Sequence, residues 1–152
     1  MLIWRILFTP EWSRWTDVVP VGVHRAVGGL HDAPTPGDMQ CAALAACQDS
    51  AVRMVANRLG AEILSLKVRV TAKVDVRGAL GIDAEVPVGF QSISCDIDLQ
   101  LKEGTPSKLR EALKSAAQKC CVVQQTLHHP PPVMARFFFI DTVRADSPLG
   151  IT

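Results

Sequence analysis

The fold is decided by one stretch of this 152-residue chain, which reads Thr35-Pro-Gly-Asp-Met-Gln-Cys-Ala-Ala-Leu-Ala-Ala-Cys-Gln-Asp49. It opens with a residue that can cap a helix and a proline at the first helical position, where no N–H is needed. From Cys41 to Cys47 it has no polar side chain, so we expect this part to be buried on all sides. Polar residues follow from Gln48 onward, which indicates that the second half turns toward solvent. With Gly60 as a left-handed stop, the pattern predicts a long helix over residues 36–59.

Length and composition predict one globular domain. Hydrophobic residues make up 48% of the chain and charged residues 20%, which is ordinary for a folded protein. The formal charge is only +1, so no strong field attracts nucleic acid or anionic lipid. The apolar start of the chain is interrupted by Arg5 and ends before Pro10, which fits neither a signal peptide nor a membrane span. We therefore expect neither nucleic acid nor membrane among the partners.

The chain has an odd number of cysteines, namely five: Cys41, Cys47, Cys95, Cys120 and Cys121. Without an export signal, this argues against a secreted disulfide framework and favours a reducing, cytoplasmic location. In such a compartment, each cysteine is either an inert buried residue or a reactive thiol.

Apolar and polar residues alternate over residues 66–76 and again over 93–101, which predicts two strands of one long antiparallel hairpin. In this arrangement Cys95 is an inert thiol on the face that packs against helices. A second helix is predicted from the cap Thr105 and Pro106 to about Leu127. Its apolar stripe consists of Leu109, Leu113, Ala116, Cys120 and Val123.

We place the domain at residues 21–132. The sequence pattern does not predict a structure for the N-terminal segment 1–20 or the C-terminal segment 133–152. Within the latter, Phe137-Phe-Phe-Ile140 indicates a buried strand fragment or an interface patch.

Four segments of the chain resemble the OsmC/Ohr family. They are Val21-Gly-Val-His-Arg-Ala-Val-Gly-Gly29, the helix-opening stretch quoted above, Val88-Gly-Phe-Gln91, and Cys121-Val-Val-Gln-Gln-Thr-Leu127. The resemblance implies an OsmC-like α+β fold, in which two central helices are wrapped by curved antiparallel sheet in an intertwined homodimer.

The resemblance also implies chemistry. Cys47 would attack an organic hydroperoxide, Cys121 would resolve the resulting sulfenic acid as a disulfide, and a dithiol reductant (lipoyl-type or a small thiol) would reopen it. No cofactor or metal is expected. Val123 and Leu127 support Cys121 as the resolving residue, whereas the helical stripe places Cys120 on the core face.

The activating cation is assigned to Arg25 in the glycine-rich loop, with Arg14 as its rival. Gly37 stands where the family usually has Glu, and Val122 where it usually has Pro. These departures keep a second function open, namely a non-catalytic binding or interaction domain of the same fold. A zinc site built from Cys120, Cys121, His128 and His129 is disfavoured, because neighbouring residues in such doublets point apart.

Overall fold

The structure is a computed structural model that describes residues 20–139. Expectations for residues 1–19 and 140–152, including the role of Arg14, lie outside the described residues. The described part is a mixed α+β fold, as predicted. After a 3-10 turn its elements are α1 (Pro36–Leu59), β1 (Ile63–Lys73), α2 (Val76–Ala79), β2 (Ser92–Leu101), α3 (Ser107–Cys120) and α4 (Val122–His128).

The predicted limits of α1 are confirmed at both ends. At the start, Asp38 donates its backbone N–H to Thr35 Oγ1 at 3.4 Å, and Thr35 donates its N–H to Asp38 Oδ2 at 2.7 Å. This reciprocal pair is a capping box, with Pro36 at the first position. At the other end Gly60 adopts φ 69°, a left-handed conformation that glycine takes without strain.

The predicted hairpin is also confirmed. Strands β1 and β2 pair antiparallel, with Val68 opposite Ile97 and Val70 opposite Cys95. However, β1 ends at Lys73, three residues earlier than predicted, because the chain turns into the short helix α2. The side chain of Asp75 caps α2 by accepting a hydrogen bond from the Arg77 backbone N–H at 3.1 Å.

Helix α1 packs on the sheet and on α3 through two clusters of buried residues. One cluster contains Val55, Ala56 and Leu113, with partly buried Leu99 and Leu101 against it. The other is built from Cys41, Leu44, Ala45, Ala51, Val70 and Cys121. The first cluster lies between α1, the sheet and α3, whereas the second lies between α1, the sheet and the segment of Cys121 and α4. The second cluster therefore fixes how the thiols are placed.

Within the single chain, α1 is not covered on all sides from Cys41 to Cys47, and its burial on every side stays a prediction that requires a second subunit. Cys41, Leu44 and Ala45 are buried, but Ala43 is exposed and Cys47 is only partly covered. Among the described residues, the sheet and α3 cover only part of the surface of α1. One apolar face of α1 therefore lies open in the isolated chain.

The second predicted helix is divided in two. Cys121 has an extended backbone, with φ −76° and ψ 100°, so α3 ends at Cys120 and α4 begins at Val122. The predicted cap is also corrected: Pro106 occupies the N-cap, and the Thr105 hydroxyl instead donates to the Lys102 carbonyl at 2.6 Å. Placing Cys120 on the core face was wrong, because the break rotates Cys120 to the surface and Cys121 inward.

Beyond α4, the segment up to residue 139 has no helix or strand. Phe137, Phe138 and Phe139 are exposed, so the buried-strand interpretation is wrong for these residues. The interface-patch interpretation stays a prediction. Within residues 20–139, no helix is long and apolar enough to cross a membrane.

Candidate thiol site

Cys47 is presented by the middle of α1, two residues beyond buried Ala45. Because α1 is capped at both ends and packed on two sides, the backbone that carries Cys47 is firmly placed. Its side chain is partly covered and packs against the buried cluster that contains Cys121. The residue thus touches the core while remaining within reach of small molecules.

Cys121 is presented by the break between α3 and α4. It has no exposed surface at all, although the neighbouring Cys120 is exposed. The extended backbone at Cys121 turns its side chain toward α1. The helix break therefore decides which of the two adjacent cysteines meets Cys47.

The side chains of Cys47 and Cys121 interact directly. Burial raises the pKa of the Cys121 thiol to about 11. The Gln124 backbone acts in the opposite direction, and a hydrogen-bonding interaction with Cys47 raises this pKa again. All five cysteines are free thiols in the structure.

Two further cysteines border this pair. Cys95 packs against the same cluster, and burial followed by the charge of Asp96 raises the pKa of its thiol. Burial, and next the charge of Asp38, raises the pKa of Cys41. A raised pKa keeps a thiol protonated and weakly nucleophilic at neutral pH. The inertness of Cys95 stays a prediction.

Arg25 is not joined to the thiol pair. It lies exposed in the 3-10 turn, and its Nε donates to the Leu30 carbonyl at 3.3 Å. No hydrogen bond or ion pair links Arg25 to Cys47 in the described part of the chain. Its activating role stays a prediction, which requires the loop to bring the guanidinium to the thiol.

Gly37, which stands where the family usually has Glu, lies close to the aromatic ring of Phe90. A Cβ atom at Gly37 would lie 3.2 Å from Cζ of Phe90, so a larger side chain there would have to displace the ring. The nearby carboxylate, Asp38, is buried and engaged in the capping box, and its Oδ2 lies 3.8 Å from His31 Nε2. The sequence did not indicate this histidine contact, because His31 comes from the loop and not from the helix.

Gln48 is the residue that sequence reasoning misplaced most clearly. It was predicted to face solvent, but it is 1% exposed, and its Oε1 has no hydrogen-bond partner in the described residues. The buried residues Val52, Val55 and Ala56 follow it at helical spacing and were the available signal.

No group of three or more His, Cys, Asp or Glu side chains within residues 20–139 could hold a metal ion. Cys121 is buried at the thiol pair, while Cys120, His128 and His129 are exposed. The four residues of the zinc alternative therefore do not converge.

The sequence profile of one family, described as OsmC-like protein, matches residues 29–135, which is more than half of the chain. The chain belongs to the OsmC-like family. No curated protein matches it. The match includes α1, the hairpin, α3 and α4, and therefore every element that positions the OsmC-like thiol pair.

Solved structures with the same fold include other OsmC-like proteins. An OsmC-like hydroperoxide resistance protein from Jannaschia sp. CCS1 is 27% identical, with a TM-score of 0.54, and the match covers 74% of this chain and 71% of that chain. An organic hydroperoxide resistance protein OsmC from Legionella pneumophila is 20% identical, with a TM-score of 0.53 and coverages of 73% and 74%. An OsmC-like protein from Mycoplasma pneumoniae is 16% identical, with a TM-score of 0.55. The match covers 65% of this chain and 65% of the Mycoplasma protein.

Proposed function

We propose that this OsmC-like protein is a thiol-dependent peroxidase that reduces organic hydroperoxides through Cys47 and Cys121. The observation that carries the proposal is the direct interaction of the partly covered Cys47 thiol with the fully buried Cys121 thiol. The family and the relatives named for hydroperoxide resistance support a peroxide-related redox role.

The reaction consists of two exchanges at sulfur. The Cys47 thiolate attacks the terminal oxygen of a hydroperoxide, the O–O bond breaks, and the alkoxide leaves and takes up a proton as an alcohol. Cys47 is now a sulfenic acid. The Cys121 thiol displaces its hydroxyl as water and forms a disulfide, and a dithiol reductant returns both residues to thiols while it is itself oxidised.

The different surroundings of the two thiols support their different roles. Cys47 is open enough to meet a peroxide, whereas Cys121 is closed to solvent and held in the thiol form by its raised pKa. A protected Cys121 cannot compete with Cys47 for the substrate. It lies instead where a sulfenic acid on Cys47 would form.

The test is stoichiometric oxidation of the reduced protein with cumene hydroperoxide, followed by peptide mapping. We expect a Cys47–Cys121 disulfide as the first product. In Cys121→Ser, Cys47 should still be oxidised but should accumulate as sulfenic and then sulfinic acid. Cys120→Ser is the matched control and should form the disulfide normally, whereas unmodified Cys47 in the wild type would refute the peroxidase.

A second function is favoured by a specific observation. Gly37 lies against Phe90 where the family usually has Glu, and Arg25 is bonded to Leu30. A chain without the Arg and carboxylate pair would be a non-catalytic binding or interaction domain. Thiol titration separates the two: a peroxidase has one fast-reacting cysteine of low pKa, and a binding domain has none.

The proposal includes a homodimer in the cytoplasm, with a lipoyl-type or small-thiol reductant and no nucleic-acid or membrane partner. The apolar face of α1 near Ala43 supports dimer formation, because it is uncovered in the single chain. The odd number of cysteines, five, supports a reducing compartment.

A further inference from the structure

A cavity of about 320 Å³ lies between α1, α3 and the inner face of β2. Its volume falls at the lower end of the range for small-molecule sites, about 300–1,000 Å³. The lining includes Cys95 but neither Cys47 nor Cys121. The cavity therefore adjoins the thiol pair through Gln48 and Cys95, but neither thiol of the pair lines it.

One wall of the cavity is apolar. It is formed by one residue from α1, one from α3 and the inward-facing residues of β2: Val52, Leu113, Ile97, Leu99 and Leu101. Such a wall favours an aliphatic body, because methylene groups leave water when they pack against it.

The charged lining residues are both cations. Arg110 and Lys114 come from successive turns of α3, and no Asp or Glu lines the cavity. Arg110 Nε donates to the Thr105 carbonyl at 3.1 Å, but neither cation forms an ion pair with a carboxylate of residues 20–139. Two such cations on neighbouring turns favour an anionic group on the ligand.

A hydrogen-bond acceptor also lines the cavity. Gln48 is 1% exposed, and its Oε1 has no partner among the described residues. A buried amide oxygen without a donor is costly, and a donor supplied by a ligand would remove that cost.

The acceptor and Arg110 lie at opposite ends, and Lys114 lies one turn of α3 closer to the middle. Leu113 packs with Leu99 and Leu101, whereas Cys121 packs with Cys95, so α3 runs antiparallel to β2. Arg110 therefore lies toward the Leu101 end, and Gln48, next to Cys47 in the other cluster, lies toward the Cys95 end. The lining of α3 from Arg110 to Gln118 extends roughly 12 Å, at 1.5 Å per residue.

We propose that this cavity binds a medium-chain aliphatic carboxylate that has a hydroxyl group far from its carboxylate. The carboxylate lies between Arg110 and Lys114, the chain follows the apolar wall, and the hydroxyl donates to Gln48 Oε1. This binding does not rest on the peroxidase proposal, because no lining thiol has to react. Binding should consequently be the same in wild type and in Cys47→Ser.

The test is calorimetric titration of the full reduced chain with ω-hydroxydecanoate. We expect one saturable site per chain and at least about a tenfold loss of affinity in Arg110→Gln, because a charge-assisted hydrogen bond is removed. Lys114→Gln should show a loss in the same direction. Lys108→Gln, an exposed lysine of α3 outside the lining, is the control and should bind like wild type.

A second comparison tests the acceptor. Wild type should prefer ω-hydroxydecanoate to decanoate by about fivefold, the value of one neutral hydrogen bond, and Gln48→Leu should lose this preference while still binding decanoate. Circular dichroism establishes that each variant is folded. The proposal is overturned by absence of saturable binding at millimolar ligand, by decanol binding as tightly as decanoate, or by equal losses in Arg110→Gln and Lys108→Gln.

Discussion

At the scale of single residues, the two proposed reactive cysteines differ in how far water reaches them. Cys121 is fully buried and Cys47 only partly, although both belong to one contact. A nucleophile needs the thiolate form, which burial penalises and a nearby cation favours. The proposed reactivity of Cys47 therefore depends on a cation close to its sulfur.

We predict that Arg25→Ala slows hydroperoxide consumption at least about tenfold, because an adjacent opposite charge lowers a thiol pKa by about 1–3 units. Arg25→Lys should rescue only partly, since a point charge cannot bind thiolate and peroxide with a planar fork. Peroxide consumption under single turnover measures the effect, and the melting temperature should be nearly unchanged. Full activity in Arg25→Ala with loss in Arg14→Ala would transfer the role to Arg14.

The raised pKa of Cys121 predicts a pH dependence of stability. The unfolded thiol ionises near pH 9, but the folded one only near pH 11. The stabilisation is fully present below pH 9 and is lost as the pH rises toward 11. Between these pH values, the free energy of unfolding measured with urea should decrease less steeply with pH in Cys121→Ser than in the wild type. Equal slopes for the two proteins would contradict the prediction.

At the scale of elements, the start of α1 depends on the capping box. Thr35→Ala removes the side-chain acceptor of the Asp38 N–H and should lower the free energy of unfolding by about 1 kcal/mol. Urea denaturation at an unchanged m-value measures this loss. Thr126→Ala, at an exposed position of α4, is the control and should change it by less than about 0.5 kcal/mol. An unchanged Thr35→Ala variant would mean that the start of α1 is held by packing alone.

The sequence was sufficient to predict α1 and the hairpin, because their signals are local. A cap, a proline and a stop glycine define the helix, and strict alternation defines the strands. The break at Cys121 has no such signal: with Val122 in place of proline, nothing in the local sequence forbids a continuous helix. Packing of Cys121 against α1 is a tertiary effect, and periodicity within α3 therefore placed Cys120 inward incorrectly.

The candidate site, like the fold, could be predicted only in part from the sequence. Cys47 and Cys121 could be proposed from the resemblance, and the structure brings them together. The burial of Gln48 could not be recognised from its polarity, although buried Val52, Val55 and Ala56 follow it at helical spacing. The cavity beside it likewise depends on three elements that are distant in sequence.

At the scale of the whole molecule, the uncovered apolar face of α1 predicts a dimer. Ala43 and Met54 lie exposed on this helix, and Cys47 is partly exposed beside them. Analytical ultracentrifugation at micromolar concentration should show a dimer, and Ala43→Arg should shift it toward monomer, because an unpaired charge is costly in an apolar interface. Gln100→Arg on exposed β2 is the control, and a well-folded wild-type monomer would exclude the dimer.

The positions of the two thiols along the sequence also affect the conformational entropy of the unfolded chain once they are linked. In the sequence, Cys47 precedes both strands and α3, and Cys121 follows them. A disulfide between the two residues would therefore close a long loop of the chain. In the chain-entropy description, closing a loop of this size removes roughly 4 kcal/mol of freedom from the unfolded ensemble. Oxidation to the disulfide would therefore stabilise the fold, and the melting temperature of each molecule would depend on whether its two thiols had been oxidised.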